Sequence, residues 1–89
     1  MSEYVLTFDN TNMAVKAEKV LLQAGLKISV MPIVPQISVG CGIALRVKQD
    51  ELERCCEVLA ENKVDVFCVY ERKAGEHGYE YSEIPKDLT

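Results

Sequence analysis

Four cysteines, Cys41, Cys55, Cys56 and Cys68, are the residues of this 89-residue chain with the widest choice of chemistry. In a reducing compartment a cysteine is a packing residue, a metal ligand or a reactive thiol. The four positions include no Cys-x-x-Cys spacing, so neither a zinc or copper site nor a thioredoxin-type redox pair is indicated. We therefore expect no bound metal and no cofactor.

Cys41 differs from the other three cysteines because it belongs to no run of hydrophobic periodicity. It lies between Gly40 and Gly42, which leave the sulfur unshielded and permit unusual backbone angles. Ser38 could donate a hydrogen bond to a Cys41 thiolate, although a serine in a turn is equally typical. The alternative to a reactive thiol is a Gly-Cys-Gly sequence that only makes a tight turn.

The other cysteines fit a packing role. Cys55 and Cys56 fall on the apolar stripe of a predicted helix, and Cys68 lies inside a predicted strand between Phe67 and Val69. Free cysteine behaves as a small hydrophobic residue when it is buried. We therefore expect these three thiols to lie in the core. The hydrophobic pattern does not decide which face of the sheet carries Cys68.

The elements that must position Cys41 follow from the hydrophobic pattern. Alternation predicts strands, spacing of three and four predicts helices, and Gly25 stands where a helix should end. Residues 1–72 are expected to form one domain, and residues 73–89 a polar tail that is loose or adds an edge element through Tyr79, Tyr81 and Ile84. The predicted order is a strand over 3–8, a helix with its stripe over 13–24, strands over 26–31 and 43–48, a helix with its stripe over 52–59, and a strand over 65–71.

This β-α-β-β-α-β order predicts an α+β fold, a ferredoxin-like sandwich in which two helices cover one face of a four-stranded antiparallel sheet. In that topology Cys41, just before the third strand, comes near the start of the first helix at Asn10, Thr11 and Asn12. Free N–H groups and the positive end of the helix dipole favour an anion there. A Cys41 thiolate at that place should titrate below about 8.5, although a carboxylate at Asp9 would oppose this.

A family resemblance enters at these residues. Three features carry it: the run Pro-Ile-Val-Pro-Gln-Ile-Ser-Val-Gly-Cys-Gly-Ile-Ala-Leu-Arg over 32–46, the run Thr-Phe-Asp-Asn-Thr over 7–11, and Glu18. With these features the chain resembles the selenium/sulfur carrier-like family over roughly residues 3 to 72. The resemblance implies that Cys41 carries sulfur or selenium as a persulfide or selenosulfide. It also implies donor and acceptor proteins as partners.

Charge and composition argue against several other classes. The formal charge is −4 and no basic patch is visible, so we expect no nucleic-acid partner; the third predicted strand also lacks the aromatic residues of an RNA-recognition module. No apolar stretch approaches the ~20 residues that span a bilayer, and residues 1–4 show no secretory signal. We expect a cytoplasmic protein with no membrane partner.

Two further functions stay open beside the carrier. One is a non-catalytic binding or assembly module, in which the open sheet face or Tyr79 and Tyr81 dock a partner or a second copy and Cys41 is structural. The other is a pocket near Cys41 that binds a small anion without covalent chemistry. The sequence favours a carrier or binding protein over an enzyme with turnover, without deciding between them.

Overall fold

The computed structural model describes residues 3–35, 37 and 42–84. Within them the chain is α+β, with two α-helices and one five-stranded antiparallel sheet. The elements are β1 Glu3–Thr7, α1 Thr11–Gln23, β2 Ile28–Pro32, β3 Ile43–Lys48, α2 Leu52–Glu61, β4 Cys68–Gly75 and β5 Gly78–Ile84. The strands lie in the order β2-β3-β1-β4-β5, and a 3-10 turn over Gln49–Glu51 leads into α2.

Within the described residues the sheet has five strands and not the expected four, and the fifth is the edge element that was one of the two alternatives for residues 73–89. β4 continues to Gly75, turns through Glu76 and His77, and pairs with β5 in a register that joins Val69 to Ile84. Gly78 follows the turn with a φ of +126°, a value that favours glycine. A polar sequence can form this strand because β5 lies at the edge, where its ladder with β4 and the packing of Ile84 against the core hold it.

α1 forms and ends as its sequence predicts. Its inner face buries Ala14, Ala17 and Leu21. At its C-terminus the Gly25 N–H donates to the Leu22 carbonyl and the Leu26 N–H to the Leu21 carbonyl, with Gly25 at φ +83°. These two bonds and the left-handed glycine make a Schellman motif, which fixes the direction in which the chain turns toward β2.

The two faces of the sheet are covered differently. On one face, α1 and α2 pack against Leu6, Leu45 and Val69 to make the main core. On the opposite face, a smaller cluster centred on Val5 and Tyr70 is covered by the segment that follows β2. The buried Ile37, 2% exposed, belongs to that smaller cluster. The connection that carries Cys41 in sequence is therefore anchored on the face without helices.

Candidate functional site

The N-terminus of α1 is built by Asn10. The Asn10 backbone is extended, its Oδ1 accepts from the Met13 N–H at 2.9 Å, and its carbonyl accepts from the Ala14 N–H at 3.2 Å. The N–H groups of the first helical turn have no intrahelical acceptor, and the Asn10 side chain takes only one of them. Thr11 and Asn12 are exposed, so this end of the helix can receive an anion from solvent.

Gly42 lies beside that helix end. A Cβ built on Gly42 would come 3.9 Å from the Thr11 Oγ1, an ordinary van der Waals distance. The Gly42 carbonyl accepts from the Ile33 N–H at 3.3 Å, which continues the β2–β3 pairing beyond Pro32 and Ile43. The start of β3 and the start of α1 thus meet at one end of the sheet, as the sequence predicts.

The central residues of the predicted site are only partly within the described chain. Asn10, Thr11, Asn12 and Gly42 are described and lie together. Ser38, Gly40 and Cys41 lie outside the described residues, so their roles stay predictions. Strand parity predicts that Cys41 shares the side of Ile43, Leu45 and Val47, and these three residues all face the helices.

Asp9, the carboxylate expected to oppose an anion, is placed toward another part of the molecule. It lines a groove together with Val64 and Phe67, in the connection that leads into β4. β4 and β3 lie on opposite sides of β1. Asp9 therefore contributes to the β4 side of this sheet end, whereas Gly42 lies on the β3 side.

The three described cysteines are free thiols with different surroundings. Cys55 is fully buried, and burial, with smaller effects from Cys56 and Glu51, raises its pKa to about 11. Cys56 is half-buried, and burial raises its pKa as well. The expectation that both adjacent thiols lie in the core holds for Cys55, whereas Cys56 lies at the edge of the core and lines two grooves.

Cys68 lies on the sheet face without helices, which the sequence pattern left open. It packs against the cluster around Val5 and Tyr70. The Thr7 hydroxyl accepts from the Cys68 N–H and donates to the Cys68 carbonyl, each at 3.0 Å. The pKa of Tyr70 is raised by burial first and by the neighbouring Cys68 and Glu83 as well. Cys68 is thus part of a packed polar-apolar cluster.

A group centred on Arg72 was missed by the sequence analysis. Arg72 forms an ion pair with Glu3, which also lies 3.6 Å from the Arg46 Nε. The Arg72 Nε donates to the Tyr81 hydroxyl at 3.3 Å, and its guanidinium lies 3.3 Å from the centre of the Tyr79 ring. The two tyrosines considered as docking residues therefore both contact Arg72. Strand parity places Arg46 on this face, but only the β4–β5 register brings the tyrosines to Arg72.

Two findings bear on metals and membranes. In the part of the chain that the structure describes, no group of three or more His, Cys, Asp or Glu side chains is arranged to hold a metal ion. Neither helix within the described ranges combines the length and the apolar character needed to cross a membrane.

Comparison with known proteins gives a family and no individual relative. Neither the curated proteins nor the solved structures gave a match. The model of one family, described as "Putative Se/S carrier protein-like", matches residues 3–71, which include both helices and all of the sheet except β5 and the end of β4. The resemblance noted on the Pro-Ile-Val-Pro to Gly-Cys-Gly run is thereby confirmed, and the chain belongs to this Se/S carrier-like family.

Proposed function

We propose that this protein carries sulfur or selenium on Cys41 between a donor protein and an acceptor protein. The observation that supports this most directly is that Gly42 lies beside Thr11 at the start of α1, where a Cβ on Gly42 would come 3.9 Å from the Thr11 Oγ1. Cys41 is the residue before Gly42 in the chain, and consecutive Cα atoms are about 3.8 Å apart across a trans peptide. In the proposed function, the Cys41 sulfur uses the free N–H groups of the first helical turn.

The electrostatics of that helix end favour the thiolate. The first N–H groups and the dipole of a helix stabilise negative charge within the first turn, and cysteines near helix N-termini have lowered pKa values. Asn10 caps the helix without adding charge. The position of Asp9 on the β4 side supports the same conclusion, because a carboxylate beside the sulfur would repel the thiolate.

The three described cysteines do not lie at a helix N-terminus that would favour a thiolate. Burial raises the pKa of Cys55 and of Cys56, and a thiol held protonated is a poor nucleophile. Cys68 is packed among the residues of the smaller cluster. These surroundings favour a structural role for the three and support the assignment of the chemistry to Cys41.

The transfer step is a thiol exchange in which every atom is accounted for. The Cys41 thiolate attacks the outer sulfur of a donor persulfide, R–S–SH. The new bond joins the Cys41 sulfur to that outer sulfur, the donor S–S bond breaks, and the donor leaves as the thiolate R–S⁻. Delivery to an acceptor thiolate is the same exchange in reverse, and a selenosulfide follows the same scheme with selenium as the transferred atom.

The test is transfer of labelled sulfur. The protein is incubated with a cysteine desulfurase and labelled cysteine, and the labelled thiol is located by peptide mapping under non-reducing conditions. We expect label on Cys41 and loss of labelling in Cys41→Ser, with Cys68→Ser as the matched control that retains it. Label spread evenly over the thiols, or labelling unchanged in Cys41→Ser, would contradict the carrier function.

The same protein samples separate the two alternatives. A structural Cys41 in a binding or assembly module predicts that no thiol stands out when the four cysteines are alkylated at pH 6.5. A non-covalent anion pocket predicts that anions raise the melting temperature of the wild type and of Cys41→Ser equally. The carrier predicts fast alkylation of Cys41 and no labelled product without it.

We further infer that the fold is a ferredoxin-like sandwich with β5 added at one edge. The order β2-β3-β1-β4 within the sheet, with α1 and α2 packed on one face, supports this. We also propose a reducing, cytoplasmic setting, in keeping with the free thiols of Cys55, Cys56 and Cys68.

A further inference from the structure

A groove runs along α2 on the side away from α1. It consists of two adjoining depressions of about 710 and 490 Å³, whose linings share Cys56 and Ala60. Its exposed end is marked by Phe67, 45% exposed. We call it the α2 groove, and its apolar floor comprises Tyr4, Leu52, Cys56, Val66, Val69 and Ile84.

The groove exists because the fifth strand, β5, makes the sheet wider than the two helices can cover. Two helices, each about 10 Å across, cover roughly four strands at about 4.8 Å spacing. β5 widens the sheet on the far side of β4, and no helix among the described residues covers that added width. Ile84 of β5 and Cys56 of α2 consequently both line the depression beside α2.

Every charged side chain among the described lining residues of the groove is a carboxylate, and one of them, Glu57, also pairs with Arg54 of α2 at 3.5 Å. The rim of the groove carries carboxylates along its whole length, and no Lys, Arg or His is among its described lining residues. An apolar floor between like-charged rims fits a segment that is apolar on one side and basic on its flanks. These carboxylates are Asp9, Glu53, Glu57 and Asp65.

We propose that the α2 groove binds a basic amphipathic helix of a partner protein. A helix laid beside α2 at the usual interaxial distance of 8–10 Å would complete the layer over β4 and β5. Its apolar residues at i, i+3 or i+4 and i+7 would meet the floor, and its Lys and Arg residues would meet the carboxylates. A second copy of this chain is disfavoured as the occupant because its own α2 carries Glu53 and Glu57. This proposal stands on the groove alone and does not rest on the carrier chemistry.

The experiment uses two designed 18-residue helical peptides with the same leucine stripe, one flanked by lysines and the other by glutamates. The protein carries Cys41→Ser and Cys68→Ser, so that Cys56 is the only accessible thiol, since Cys55 is fully buried. Binding is followed by fluorescence anisotropy, and contact with the groove by the alkylation rate of Cys56. We expect the lysine peptide to bind and to slow alkylation at least tenfold at saturation, and the glutamate peptide to do neither.

Charge reversal supplies the matched control. Glu53→Lys with Glu57→Lys should weaken the lysine peptide by about tenfold, in keeping with two exposed charge pairs. Glu76→Lys with Glu80→Lys makes the same change in net charge at the β4–β5 turn and should leave the affinity within about twofold of the parent. Binding without protection of Cys56, equal binding of both peptides, equal effects of the two double variants, or self-association that protects Cys56 without peptide would each overturn the proposal.

Discussion

Gly42 lies close to Thr11 across the junction of β3 and α1: a Cβ built on Gly42 would come 3.9 Å from the Thr11 Oγ1. The start of β3, which follows Cys41 in the chain, therefore lies beside the electropositive end of the first helix. Among the described residues outside its chain neighbours, no other atom comes within 4 Å of that Cβ position, so a methyl group fits there. Larger side chains at Gly42 therefore test directly whether this position controls the access of reagents to the Cys41 sulfur.

Substitutions at Gly42 should separate an effect on the stability of the fold from an effect on the alkylation rate of Cys41. Gly42→Ala should fold with a free energy of unfolding within about 1 kcal/mol of the wild type, because its methyl group meets Thr11 at an ordinary distance and alanine narrows the unfolded ensemble. Gly42→Val should slow alkylation of Cys41 at pH 6.5 several-fold by crowding its approach. The alkylation rate of Cys68 in the same sample is the internal control. Equal Cys41 rates in all three proteins would show that Gly42 does not govern access.

The capping residue can be changed with and without a change of charge. Asn10→Ala removes the acceptor for the Met13 N–H and should lower the free energy of unfolding by about 1 kcal/mol. Asn10→Asp keeps an acceptor and should fold about as stably as the wild type, but its carboxylate should raise the pKa of Cys41. Urea unfolding measures the first effect, and the pH dependence of alkylation the second. An unchanged alkylation profile in Asn10→Asp would argue against an anionic sulfur at the helix end.

The buried thiol of Cys55 should make stability fall at high pH. Its pKa is about 11 in the folded protein against an ordinary value of 9.0, so the folded state binds the proton more tightly. The resulting stability is fully present below pH 9 and is lost as the pH rises toward 11, by about 2 to 3 kcal/mol. Denaturant unfolding between pH 8 and 11 should show a smaller fall in Cys55→Ala than in the wild type. Cys56→Ala should reduce the fall less than Cys55→Ala does, because burial also raises the pKa of Cys56 but this thiol is only half-buried. An identical fall in all three proteins would contradict this assignment.

Arg72 should hold β5 to the sheet. Its side chain is 10% exposed, pairs with Glu3 and contacts Tyr79 and Tyr81. Arg72→Ala should cost about 1–3 kcal/mol, because it removes a largely buried, hydrogen-bonded charge, and it should speed hydrogen exchange of the β5 amides. Arg46→Ala, which removes the more exposed partner of Glu3, should cost less than about 1 kcal/mol. Similar losses in the two variants would deny Arg72 this role.

The sequence predicts elements best where local signals agree. The stripe of α1, its Asn10 cap and the left-handed Gly25 all lie within one stretch of chain, and the structure reproduces each of them. The alternation of β3 is equally local, and its limits Ile43 and Lys48 match the prediction. The meeting of Gly42 with Thr11 followed from the order of the elements, because that order brings the start of β3 to the start of α1.

The predictions from sequence fail where the pairing of strands distant in the chain decides where a strand begins and which side chains are buried. The strand expected from Asp65 begins at Cys68, because Phe67 is still in the connection and only its N–H reaches β1, at the Thr7 carbonyl. Met31 is buried although its neighbour Val30 is 43% exposed, since the following segment covers the face that Met31 shares. Whether the polar tail pairs with β4 depends on a partner strand, which no local pattern encodes.

The chain is anchored on both sides of residues 38–41, and this has a consequence for the proposed transfer of sulfur or selenium. Only four residues separate the buried Ile37 from Gly42, which is hydrogen-bonded to Ile33. A tether that short cannot act as a swinging arm of the kind that shuttles a group between distant sites. The carrier function proposed above therefore requires donor and acceptor to visit the same spot in turn, so that the whole domain leaves one before it serves the other.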